Sequence, residues 1–202
     1  QDQIEWDRFA FSVGGRYDWA NTDTRTRTSS SNTLVDQNDG RFTWKTGIVY
    51  NFDNGISPYA GYSTSFNPAS GTDRFGNAFS PTTGEQFEVG VKYQPEGMNS
   101  FVTLSAYHLT QDNVLSPDPV NTNFRVQTGQ VTMKGLEIEG KAELSDASSV
   151  IASYAYTDSE ITKDNPNAAG VSNTGNRFAF VPRNQASIWL DYALQTSTNW
   201  DG

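Results

Sequence analysis

Apolar and polar residues alternate over long runs of this chain, and the connections between those runs alternate long and short to its end. From residue 9 to 19, Phe9, Phe11, Val13, Gly15, Tyr17 and Trp19 fall on one side while Ala10, Ser12, Gly14, Arg16 and Asp18 fall on the other. A period of two means extended chain with one apolar face. The pattern recurs with Phe42, Trp44, Ile48, Tyr50 and Phe52 against Arg41, Thr43, Lys45 and Asn51, and with Phe87, Val89, Val91 and Tyr93 against Gln86, Glu88 and Lys92. Its strongest case is residues 131–144, where Leu136, Ile138, Gly140, Ala142 and Leu144 alternate with Glu137, Glu139, Lys141 and Glu143. A soluble sandwich also places charge on its outer face, so length has to decide. Soluble strands average about five to six residues and a tilted strand crossing a bilayer needs about nine to eleven. These runs reach the longer value.

The spacing predicts eight strands, over residues 9–19, 41–52, 56–66, 85–94, 100–110, 129–144, 149–157 and 183–194. Residues 21–40, 67–84, 111–128 and 158–181 are rich in Thr, Ser, Asn, Asp, Gly and Pro and read as long solvated loops. The connections at 5–8, 53–55, 95–99 and 145–148 are short, and Asn54-Gly55 supplies the positive φ of a hairpin turn. Outer-membrane barrels carry long loops outside and short turns at the periplasm. Tyr17, Trp19, Phe42 and Trp44 then belong to the outer aromatic belt, and Phe9, Tyr50, Phe52, Tyr93 and Tyr192 to the periplasmic one. The fold class expected is all-β, a transmembrane antiparallel β-barrel. Its inward side chains, mostly Gly, Ser and Thr with several charges, do not fill the narrow core of an eight-stranded barrel. About eight consecutive strands of a wider barrel, its lumen plugged or wet, fit better. Gln1-Asp2-Gln3-Ile4 reads as the tail of a strand and residues 195–202 as a polar turn, so residues 1–202 are expected to be an internal piece of a longer protein.

Composition narrows the function. Hydrophobic residues make up 35% of the chain, with no stretch near the roughly 20 apolar residues of a membrane helix, which excludes a helical membrane protein. The aromatic share of 13% fits interfacial girdles. With 23 acidic against 14 basic side chains the net charge is −9, which argues against a nucleic-acid partner. The absence of cysteine excludes a disulfide scaffold and cysteine-ligated metal. One histidine, His108, with no G-x-S-x-G sequence around any serine, is no basis for a catalytic triad, so no enzyme is expected and His108 reads as a wall residue.

The stretches Val13-Gly14-Gly15-Arg16-Tyr17-Asp18-Trp19, Glu85-Gln86-Phe87-Glu88-Val89-Gly90-Val91-Lys92-Tyr93, Lys134-Gly135-Leu136-Glu137-Ile138-Glu139-Gly140 and Val181-Pro182-Arg183-Asn184 carry a family likeness. So do Phe42-Thr43-Trp44, residues 53–59, residues 62–66 and residues 186–192. Together, and in this order along the whole chain, they resemble the barrel of TonB-dependent siderophore receptors, most of all those for ferrichrome, a hydroxamate siderophore. The resemblance implies a 22-stranded barrel in the outer membrane of a Gram-negative bacterium, enclosing an N-terminal plug. It also implies active transport of a ferric siderophore energised through TonB, with the plug, TonB-contacting region, earlier strands and C-terminal strands outside these residues. No cofactor is expected to bind directly, since iron arrives only inside the ferric-siderophore complex. Its organic shell calls for aromatic and hydrogen-bonding side chains rather than metal ligands.

In that family the loop matching residues 67–79 contributes a polar ligand contact, and the matching position here is Gly71, which has no side chain to offer. The contact is either lost or taken over by Thr72, Asp73 or Arg74, with Phe75 and Phe79 nearby as further siderophore-binding candidates. The bland alternative is a solvated loop in which the two phenylalanines pack locally. Arg16, Asp18, Glu88, Lys92, Glu137, Glu139 and Lys141 would face the lumen and contact the plug, or pair across strands within the wall. Two other functions compete: a passive outer-membrane binding or adhesion barrel whose loops serve a ligand, phage or bacteriocin, and, more remotely, a soluble glycan-binding sandwich.

Overall fold

The computed structural model describes residues 2–27, 32–118, 121, 123–164 and 172–193. Nine strands pair in chain order as one antiparallel meander: β1 (Asp2–Trp6), β2 (Phe9–Arg27), β3 (Asn32–Tyr50), β4 (Ile56–Asn67), β5 (Thr82–Tyr93), β6 (Phe101–Pro117), β7 (Arg125–Ser145), β8 (Ser148–Lys163) and β9 (Asn184–Tyr192). All eight expected strands are present, and the residues read as a strand tail supply the short β1. The expected polar turn at 195–202 lies outside the described residues.

The strands run further than the alternation indicated. β2 and β3, 19 residues each, stay paired from Trp19↔Gly40 up to Arg27↔Asn32, where a loop over 21–40 was expected. Likewise β6 continues to Pro117, β7 starts at Arg125 and β8 reaches Lys163, so the loops expected at 111–128 and 158–181 are partly strand. Alternation arises only where one face touches an apolar medium. A ribbon wet on both faces keeps its ladder without it, and threonines such as Thr22 and Thr24 suit the pleat. Residues 28–31 and 165–171 lie outside the described residues. The connection between β4 and β5 is the expectation that holds best.

The short turns all lie at one end of the sheet. Asp7 (φ 53°) turns between β1 and β2, Gly55 (φ 81°) between β3 and β4, Gly97 (φ 73°) between β5 and β6, and Asp146-Ala147 between β7 and β8. At Gly55 a β-carbon would run into the Gln94 carbonyl, so positive φ and a close approach both require glycine there. Arg8 reaches from the first turn to Asp53 in the second, 2.5 Å away.

Each face has one character. The row Phe11–Ile48–Ala60–Val89–Ala106–Leu136–Tyr156 crosses seven strands through directly paired residues. On β7 the next same-face residues beyond Leu136 are Lys134 and Thr132, so there the row marks the upper edge of the apolar band. On β2 that edge is Trp19, eight residues above Phe11, five strand-to-strand steps away. The band therefore slips by about 5 Å for each ~4.8 Å of strand spacing, a tilt of roughly 45°, as expected where strands cross a bilayer obliquely. From Phe9 to Trp19 is about 33 Å of strand, which at such a tilt spans about 25 Å of height, the thickness of an outer-membrane apolar band.

Aromatic rings gather at both edges of the band. Near the turns, Phe9 and Phe52 each lie 4.7 Å from Tyr50 between ring centroids, and Tyr93 and Tyr192 end their strands on the same face. At the far edge Tyr17 meets Trp19 at 4.6 Å, Trp44 meets Tyr62 at 4.9 Å, and Phe42 covers Gly15. These are the two expected belts. Among the described residues the buried apolar side chains are Ala69, Phe79, Val114 and Val131 alone, while Trp19 is 79% exposed. A sheet with so little core and so continuous an apolar face is not stable in water and requires a hydrocarbon neighbour.

Candidate functional site

On the polar face, Tyr59 lies over Gly90 and Tyr107 over Gly135, each ring filling the space that a β-carbon would occupy. The Tyr59 hydroxyl donates to Glu88 Oε1 at 2.8 Å, and the Tyr107 hydroxyl shares a hydrogen bond with Thr157 Oγ1 at 2.8 Å. Beside these rings Glu88, Glu137 and Glu139 line a hollow of about 530 Å³ together with Thr103, Ser105 and Ser153. Gln86 Nε2 donates to the second oxygen of Glu88 at 3.0 Å. The remaining expected lumen charges pair along a strand rather than across strands: Arg16 with Asp18 at 2.8 Å and Lys141 with Glu143 at 3.8 Å. Lys92 sits 5.0 Å from the centre of the Phe101 ring. His108 is exposed on the apolar-face side, paired with Phe87 and Lys134, outside this hollow.

The loop between β4 and β5 is folded, not floppy. Thr72 and Ala78 form a bridge that makes a small hairpin, and Asp73 organises its turn. Asp73 Oδ1 accepts the Phe75 and Asn77 amides, both at 2.8 Å, and Oδ2 accepts Asn77 Nδ2 at 2.9 Å. Gly76 (φ 87°) completes it. The hairpin is tied to its neighbours on both sides. The Gly71 amide donates to Thr24 Oγ1 at 3.3 Å, Gln37 Nε2 donates to the Phe79 carbonyl at 2.7 Å, and Gln127 Oε1 accepts the Ser80 amide at 2.9 Å. Thr24 and Gln37 belong to the polar face of β2 and β3, so the loop folds over that face.

The loop candidates thereby separate. Gly71, Asp73 and Phe79 hold the hairpin; Phe79 is 5% exposed and packs locally. Arg74 and Phe75 are presented at its tip, with Phe75 75% exposed, the guanidinium 4.7 Å from the Phe75 ring centre and 3.7 Å from the buried Asp118 carboxylate. Thr72 is half-exposed beside them. Asp118, on the β6–β7 connection, was missed because a lone acid between two prolines signals nothing until the fold brings Arg74 to it.

Burial pushes the Asp73 carboxyl upward, but the Asn77, Phe75 and Gly76 donors outweigh this and hold it below its ordinary 3.8. A depressed carboxyl stabilises the folded hairpin above the ordinary value and loses that effect as pH falls through the lowered one. The hairpin is expected to be indifferent to pH between about 5 and 8 and to open only in acid. Asp73→Ala is expected to open it at neutral pH, read as faster hydrogen exchange at the Phe75 and Asn77 amides; unchanged exchange would refute the hub role.

An oblique apolar band closed at both edges by aromatics, on a tilted antiparallel meander with a polar inner face, defines the wall of an outer-membrane β-barrel, here with loops folded over the lumen. The sequence model of the TonB dependent receptor-like beta-barrel family matches residues 1–202, and the chain belongs to that family. It is 44% identical over 194 residues to the ferrichrome outer membrane transporter/phage receptor of Escherichia coli K12, covering 96% of this chain and 25% of that protein. It is 37% identical over 196 residues to a ferrioxamine B receptor of Salmonella typhimurium, covering 97% and 27%. The crystal structure of the siderophore receptor PiuA from Acinetobacter baumannii superposes with a TM-score of 0.70 at 23% identity, covering 92% of this chain and 29% of that one, which speaks to the fold. The chain spans about a quarter of the length of these curated relatives. It is a Gram-negative outer-membrane protein, and its relatives are receptors and transporters, not enzymes.

Proposed function

We propose that the chain is part of the wall of a 22-stranded barrel that takes up a ferric hydroxamate siderophore of the ferrichrome kind, energised through TonB. The observation that carries this reading is the tip of the β4–β5 loop. It is fixed over the lumen by Thr24, Gln37 and Gln127 and presents a cation and an aromatic ring, Arg74 and Phe75, in reach of a bulky polar complex. The likeness to the ferrichrome transporter and the ferrioxamine B receptor supports the hydroxamate class. Arg74, Phe75 and Thr72 are the proposed ligand contacts, with Gly71, Asp73 and Phe79 as their support.

The plug of the same protein is the proposed partner of the inner wall, where Glu88, Glu137 and Glu139 form an acidic hollow suited to a basic plug segment. Arg16, Asp18, Lys92 and Lys141, elsewhere on the same inner face of the wall, are further proposed contacts. A second reading, a passive attachment site for phage or bacteriocin, draws on the β2–β3 ribbon, which rises eight residues past Trp19, about 26 Å of strand. Titrating the complete receptor in detergent with ferrichrome and with a ferric catecholate, followed by tryptophan emission, is expected to give saturable quenching by ferrichrome alone. Quenching by the catecholate alone would move the substrate class, and silence toward both would favour passive attachment.

A further inference from the structure

The geometry points to Phe180 as a further aromatic contact for the bound ferric complex, a role that rests on the receptor reading above. Residues 177–182 form a bulge between two places where the chain is stitched to β8. On one side the Gly175 amide donates to the Ile161 carbonyl and the Ile161 amide to the Asn176 carbonyl, both at 2.9 Å; on the other the Thr157 amide donates to the Arg183 carbonyl at 2.9 Å. Arg177 Nη2 donates to the Val181 carbonyl at 2.6 Å and closes the bulge. Arg183 pairs with Asp158 at 3.3 Å and fixes its far end. Phe180 stands at the apex with φ 66° and is 95% exposed.

Two features of that residue conflict with a purely structural role. A bulky aromatic in the left-handed region is an outlier that persists only where its surroundings impose it, and Gly or Asn would sit there relaxed. Against the strands described, a ring 95% exposed gains almost no burial in exchange. The bulge also has a side. Thr157 and Ser159 occupy inner-face positions of β8, are only 8% and 3% exposed, and Ser159 Oγ donates to the Phe178 carbonyl at 3.5 Å. The Phe178 stretch of the bulge thus lies against the lumen side of β8, while its far end is held through Arg183 to Asp158 at an outer-face position. Tyr156, the last apolar-face residue of the band on β8, pairs with Asn184, so residues 177–182 stand above the membrane level. A rigid ring there meets the organic shell of a complex descending into the barrel, face against methylene and amide surface.

The test measures binding of iron-labelled ferrichrome to the complete receptor, with heat-modifiable gel mobility as the check on folding. Phe180→Ala is expected to weaken binding about fivefold and Phe180→Tyr to leave it within about twofold. Phe180→Gly relieves the backbone and is expected to lose binding just as Phe180→Ala does, which separates contact from strain. Folded Phe180→Ala receptor with unchanged affinity would overturn the assignment. So would added emission in Phe180→Trp that brominated lipid quenches and ferrichrome does not, since the ring would then face the membrane. Absence of ferrichrome binding by the unmodified receptor would overturn the substrate reading together with this one.

Discussion

Val89→Arg in the complete receptor is expected to lower the unfolding free energy by about 2–4 kcal/mol, the cost of a guanidinium on the lipid face near mid-bilayer. Val89 is 41% exposed on the apolar face, between Phe87 and Val91 along its strand, and its cross-strand neighbours are Ala60 and Ala106. None of these can pair with a charge. The next acid above it on the same face of β5 is Glu85, four residues away and about 13 Å along the strand, beyond an arginine's reach. Thr103→Arg is the control, because Thr103 lies on the inner face between Glu139 and Lys92, where a cation keeps water and an acid that offsets the neighbouring lysine. Urea unfolding in lipid vesicles should show a lowered midpoint for Val89→Arg and a near-native one for Thr103→Arg. Equal midpoints would mean that the two faces have been assigned to the wrong media.

That contrast between faces was legible in the sequence because only a half-buried sheet writes its environment with period two. Phe9 to Trp19 showed it plainly. Beyond Trp19 the same strand continues through Asn21, Asp23 and Arg25 with water on both sides, and alternation carries no information about where pairing ends. The β4–β5 loop was legible as a loop, but its internal order was not. Asp73 with Gly76 three residues on fits a turn, yet the ties to Thr24 and Gln37 depend on strands more than thirty residues upstream. Arg74 with Asp118 is the same kind of contact. Phe180 left no sequence signal at all, since a phenylalanine is the last residue to be expected at positive φ. Register is the missing quantity in each case, and it is set by tilt and turn geometry together.

Register also decides the second large effect, Gly135→Val. Gly135 pairs with Tyr107 on β6 and with Thr157 on β8, and the Tyr107 ring crosses above it to reach the Thr157 hydroxyl at 2.8 Å. One side chain thus joins three strands, and the bare glycine is what lets it lie flat. A valine there overlaps the ring, which must swing into the lumen and leave Thr157, only 8% exposed, without its partner. Overpacking costs about 1–3 kcal/mol and the lost hydrogen bond about 1 more, so a loss of roughly 2–4 kcal/mol is expected in urea unfolding. Tyr107→Phe should cost only about 1 kcal/mol, since the ring stays. The combination Gly135→Val with Tyr107→Ala should cost less than the two changes added, because removing the ring makes room for the valine. Strict additivity would mean that ring and glycine do not touch. Tyr59 over Gly90 repeats the device and hands its hydroxyl to Glu88, so the same packing that stiffens the wall also orients one of the acids in the hollow proposed to receive the plug.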